Sequence, residues 1–76
     1  MSGPIKRSVT LAGHRTSISL EPVFWDLLEK EAERQGLSIN QFVLQIDENR
    51  SSNLSSAIRT HLVEALLDTR QNDDTP

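Results

Sequence analysis

Seven residues near the N-terminus, His14-Arg15-Thr16-Ser17-Ile18-Ser19-Leu20, constrain this chain more than any other stretch. Ile18 and Leu20 alternate with Ser17 and Ser19, the two-residue period of a half-buried strand. Glu21-Pro22 then opens a helix, since proline at a first helical position lacks only an N–H that is unpaired anyway. A strand carries a row of backbone donors and acceptors that are costly to leave unpaired in a core. No later segment reads as a strand, so this one needs a partner upstream or in another chain.

The chain beyond Pro22 reads as helical. Phe24, Leu27, Leu28 and Ala32 recur at spacings of three and four, with Trp25 flanking the stripe. Gly36 is placed to end that helix in the left-handed conformation, with Leu37 folding back on the last turn. Ser38 and Gln41 match a capping box and start a second helix, whose apolar positions are Ile39, Phe42, Val43 and Ile46. Ser51-Ser52-Asn53 breaks it. A third helix is predicted over 54–69, with Leu54, Ala57, Ile58, His61, Leu62, Ala65 and Leu66 on one stripe and Val63 and Leu67 widening it. Residues 71–76 read as a disordered tail.

A chain of 76 residues without cysteine has neither disulfides nor thiolate metal sites to support a small core. At this size only about 60% of the unfolded chain's surface is buried on folding, which makes a second subunit the expected source of extra stability. No apolar run approaches a bilayer span, and the N-terminus lacks the apolar centre of a signal peptide, so a cytoplasmic location without membrane contact is expected. The net charge of −3 is unevenly divided: residues 1–20 hold Lys6, Arg7 and Arg15 and no acid, whereas residues 21–76 sum to −6. The strand lies in the basic end.

Two partners suit the strand. One is its own copy across a two-fold axis, giving a two-stranded antiparallel ribbon in a homodimer. Thr16, Ile18 and Leu20 then face the helices, and Arg15, Ser17 and Ser19 face outward. The other is the upstream run Ile5 to Leu11, turned back by Ala12-Gly13. That pairing would set Lys6, Ser8 and Thr10 beside Arg15, Ser17 and Ser19. Ala-Gly is a poor two-residue hairpin loop, which favours the dimer ribbon, with residues 1–13 as a basic arm. The outward face has a chemistry of its own, because the major groove of DNA admits a two-stranded ribbon in which Arg bonds guanine and Ser bonds several base edges.

The stretch RTSISLEPVFWDLLEKEAERQGLSINQFV, residues 15–43, resembles the ribbon-helix-helix family of DNA-binding proteins. The wider run from KRSVTLAGHRTSISLEP to NLSSAIR is similar to a short bacterial subgroup of it. The resemblance implies a mostly α-helical fold with one short N-terminal strand and an intertwined homodimer over residues 14–70; the break at Ser51 to Asn53 and the added C-terminal helix depart from the short family pattern. It implies base contacts by Arg15, Ser17 and Ser19, and a phosphate held by backbone N–H groups at Ser38 and Ile39, where a helix N-terminus favours an anion. Lys6 and Arg7 of the arm supply further phosphate contacts. Ile18, Leu20, Phe24, Leu28, Phe42 and Ile46 are the expected dimer core. An alternative alignment makes NLSSAIRTHLVEAL the family's second helix and residues 37–53 an insertion.

No enzyme is expected. Two histidines, His14 and His61, do not make a metal site, and Asp47 and Glu48 are adjacent on a helix and so do not face each other. His61, on the third helix's stripe, is expected to be a buried or interface residue. No cofactor is implied. The reading is a homodimeric regulator, a repressor, binding double-stranded DNA sequence-specifically. Its alternatives are an antitoxin-like module that holds a protein partner through the C-terminal helix, and a structural dimer with no DNA role.

Overall fold

A computed structural model of the chain describes residues 3–73, with side chains as far as residue 68. Strand β1 (Ile5–Leu11) and strand β2 (His14–Leu20) are followed by helices α1 (Pro22–Gln35), α2 (Ile39–Asn49) and α3 (Leu54–Asp73). The ribbon and helices match the expected architecture, with one difference: residues 5–11 are a strand, not a loose arm. β1 pairs antiparallel with β2 in the same chain, from Ile5 opposite Leu20 to Leu11 opposite His14. The two-residue loop has φ 51° at Ala12 and 83° at Gly13, the positive values that a type I′ hairpin turn requires at both positions. The pairing overrides the poor turn sequence because it buries Val9 and Leu11 beside Ile18 and Leu20.

The hairpin lays that face on the helices. Val9, Leu11, Ile18 and Leu20 join Trp25, Leu28 and Ala32 of α1, Phe42, Val43 and Ile46 of α2, and Ile58 and Leu62 of α3 in one core. On α1 the stripe is rotated from the expected one. Trp25 points inward and Phe24 and Leu27 sit at its margin, because the indole N–H donates to the carbonyl of Ile5 (2.9 Å), a partner that exists only once β1 is a strand.

The α1–α2 connection is as expected. Gly36 is left-handed at φ 72°, its N–H bonds the Glu33 carbonyl, and the N–H of Leu37 reaches back to Ala32. The Ser38 hydroxyl accepts from the Gln41 N–H (3.1 Å) while the Gln41 side chain accepts from the Ser38 N–H (2.9 Å). Asn53 caps α3 through its side-chain oxygen on the Ser56 N–H. That helix runs on to Asp73, so residues 71–73 of the expected tail are helical, and 74–76 lie outside the described residues.

Far from being an appendage, α3 seals the core. Ile58 is fully buried, and Arg59 ties the helix to the β2–α1 junction, its guanidinium bonding the Glu21 carboxylate (3.1 Å) and the Ser19 carbonyl (3.4 Å). The Glu21 carboxyl is held below its ordinary pKa by a bond from its own backbone N–H and then by Arg59. Of the residues expected to form a shared dimer core, Ile18, Leu20, Leu28, Phe42 and Ile46 are buried within the single chain, and Phe24 partly so. β1 and α3 cover these residues within the chain.

Candidate nucleic-acid interface

The pleat of the hairpin sorts its side chains into two faces. The outward one pairs Lys6 with Ser19, Ser8 with Ser17 and Thr10 with Arg15. All six are exposed apart from the half-buried Ser19. Arg15, Ser17 and Ser19 thus share one face as expected, and Ser8 and Thr10 join them as a consequence of the second strand. Among the described residues neither Lys6 nor Arg15 has an acidic partner. Glu21 at the β2–α1 junction is taken up by Arg59, and Glu29 of α1 by Arg7.

Arg7 does not belong to this face. The alternation that turns Lys6 outward turns Arg7 toward α1, where its guanidinium lies 4.4 Å from the centre of the Trp25 ring and 3.3 Å from Glu29. Its placement is that of a clip between β1 and α1, apart from Lys6 and the outward face. Read as a basic arm, residues 5–11 do not distinguish the two; read as a strand, their alternation puts them on opposite faces. The distinction needs the strand's pleat and the tryptophan beneath it.

The first turn of α2 lies against the outer edge of β1, with the Asn40 side-chain oxygen 3.4 Å from the Thr10 N–H. The capping box occupies the N–H groups of Ser38 and Gln41. Those of Ile39 and Asn40 remain available to an anion at the helix N-terminus. Ser38 therefore caps the helix with its side chain and commits its own N–H, and Ile39, with Asn40, is the better placed backbone donor.

The Thr10–Asn40 bond also fixes which backbone groups the hairpin leaves open. Antiparallel pairs alternate between hydrogen-bonded and non-bonded. Since the Thr10 N–H points outward, Lys6, Ser8 and Thr10 turn their backbone groups to the outer edge of β1. Arg15, Ser17 and Ser19 turn theirs to the outer edge of β2, and the Ser19 carbonyl does meet Arg59 there. The backbone groups of Arg15 and Ser17 stay open. Beside that edge runs a groove lined by Thr16, Ile18, Asp47, Arg50 and Leu54.

A ribbon, a capped helix pair joined by Gly-Leu-Ser, and an outward polar face at the strand positions are thus all in place. A ribbon-helix-helix domain model matches residues 4–66, most of the chain. The chain belongs to the ribbon-helix-helix family. Its match spans both strands, α1, α2 and most of α3. The family is one of DNA-binding regulators. A solved structure, that of an uncharacterized protein from Bordetella pertussis Tohama I, is similar to it with a TM-score of 0.76 and 27% identity over 91% of this chain. This ribbon-helix-helix chain spans 60% of that protein's length. No curated protein matches the sequence.

Elsewhere the surface offers little chemistry. His61 is exposed rather than buried, its ring edge-on to Phe42 at 5.4 Å. Among the described residues no three His, Cys, Asp or Glu side chains converge to hold a metal. Among the described residues no helix is long and apolar enough to cross a membrane.

Proposed function

We propose that this ribbon-helix-helix chain is a cytoplasmic, homodimeric regulator that binds double-stranded operator DNA sequence-specifically and acts as a repressor. The observation that carries the proposal is the unpaired Arg15 standing beside Ser17 and Ser19 on the exposed face of the family's ribbon. The open backbone edge of β2 supports the dimer. Antiparallel pairing of two copies about Ser17 would give the Arg15 and Ser17 backbone groups their partners and set Arg15 opposite Ser19 of the other copy. Arg15, Ser17 and Ser19 then read base edges in the major groove. Lys6 and the N–H groups at the start of α2 supply phosphate contacts, which position the protein without reading sequence. Occupying the site is itself enough to block it.

The test is a salt-titrated binding assay on a duplex selected by the protein from a random-sequence pool. Arg15→Ala should cost about 1–3 kcal/mol on the selected duplex and relax the preference at one position. The same loss on every sequence would reduce Arg15 to a phosphate contact. Sedimentation over a concentration series measures the dimer, and a monomer bound to DNA would remove the pairing of β2.

A second reading, the holding of a protein partner through α3, is favoured by Val63, Leu66 and Leu67, which lie 43–51% exposed along that helix. Because Ile58 and Leu62 belong to the core, removing α3 would unfold the chain and test nothing. Leu66→Ser with Leu67→Ser keeps the core. Loss of partner capture with DNA binding intact would separate the two activities.

A further inference from the structure

The second strand raises a question of width. Strands in a sheet lie about 4.8 Å apart, so two hairpins joined through their β2 edges form four strands about 14 Å across from first to last. The major groove is about 12 Å wide and takes two strands. All four do not enter together. The central pair, β2 and its copy, fits, and each β1 is then carried out over a wall of the groove, where the sugar-phosphate backbone runs.

We infer that β1 is a backbone-contacting strand, in which Lys6, Ser8 and Thr10 bind phosphate oxygens of the groove walls while base reading is left to β2. Three observations agree on this division. Each outer edge carries one contact, Thr10 with Asn40 on β1 and Ser19 with Arg59 on β2; the first turn of α2 stands against the β1 edge, and β2 is the strand taken to pair with its copy, so β1 is the flank and not the centre. β1 lies between β2 and the first turn of α2, where the capping box leaves the Ile39 and Asn40 N–H groups to an anion. The chemistry differs too: the cation of β1 is a lysine, a compact charge suited to phosphate, and that of β2 is an arginine, whose planar fork suits the two acceptors of guanine. Hydroxyls such as those of Ser8 and Thr10 serve phosphate as readily as bases. The inference rests on the DNA-binding reading above.

The experiment compares wild type, Lys6→Ala and Ser8→Ala with Thr10→Val, all full-length and all altered only at exposed positions. Each is titrated with salt on the duplex selected by wild type and on a scrambled duplex, and each is used for a fresh selection from the random pool. The expected result is that Lys6→Ala weakens both duplexes by the same factor. Its slope of log affinity against log salt should fall by about 2 for a dimer losing two phosphate contacts. The Ser8/Thr10 variant should bind both several-fold more weakly, and both variants should select the wild-type consensus. A changed consensus with either variant would overturn the inference, because the hairpin of a single chain would then lie in the groove. So would unchanged affinity and slope with Lys6→Ala. If wild type enriched no sequence and bound no duplex at low salt, the DNA-binding reading would fail first, and this inference with it.

Discussion

The two tight turns of the molecule are held in opposite ways. Between α1 and α2, Gly36 takes the left-handed conformation, and local groups satisfy the flanking backbone: Glu33 and Ala32 accept from Gly36 and Leu37, and Ser38 and Gln41 cap each other. Between β1 and β2, the left-handed positions are Ala12 and Gly13, and alanine does not favour that conformation. That turn is closed from a distance, by seven residue pairs and by the burial of Val9, Leu11, Ile18 and Leu20. Local chemistry specifies the first turn, and non-local burial imposes the second.

The sharpest way to break this contrast is to remove the burial. Ile18 is 1% exposed, and Ile18→Ala should cost about 2–5 kcal/mol, a large share of the roughly 5–15 kcal/mol that small proteins possess. Urea unfolding measures it as a lower midpoint, and a loss below about 1 kcal/mol would mean that something other than burial holds the hairpin. The helical turn should answer less strongly. Ser38→Ala removes the acceptor of the Gln41 N–H and should cost about 1 kcal/mol, with the hairpin's amide protection in hydrogen exchange unchanged below global unfolding. A loss of protection confined to the hairpin would show that the two turns are coupled.

The same contrast explains what was legible in the sequence. Gly36, Leu37, Ser38 and Gln41 announce their turn within six residues, and the alternation of Ser17, Ile18, Ser19 and Leu20 announces β2 and its outward Arg15. β1 alternates as well, but its tie to β2 depends on a turn that local preference argues against. The inward tryptophan was hidden for the same reason, since Trp25 has its hydrogen-bond acceptor only when Ile5 is in the sheet. Arg7 and Lys6 look alike until the strand's pleat separates them. Likewise Ile58 and Leu62 show a stripe, but not that it completes the core of its own chain. The capped start of α2 was legible as a region, whereas the division between Ser38, which spends its N–H on Gln41, and Ile39, whose N–H the cap leaves unused, needed the geometry of the cap.

The smallest effect tests the weaker turn directly. Asn-Gly is the favoured pair for a type I′ loop, because asparagine tolerates the left-handed region that alanine resists. Ala12 holds φ 51° only because the strands on either side require it. Ala12→Asn should therefore stabilise the protein by about 0.5–1 kcal/mol, which for a domain of this size raises the melting temperature by a few degrees. Gly13→Ala is the control with the opposite sign. A Cβ there meets nothing within 4 Å, so any loss is conformational, arising from φ +83°. Thermal unfolding followed by circular dichroism measures both. A lower melting temperature for Ala12→Asn would mean that alanine is not strained there, and the contrast between the turns would then rest on burial alone.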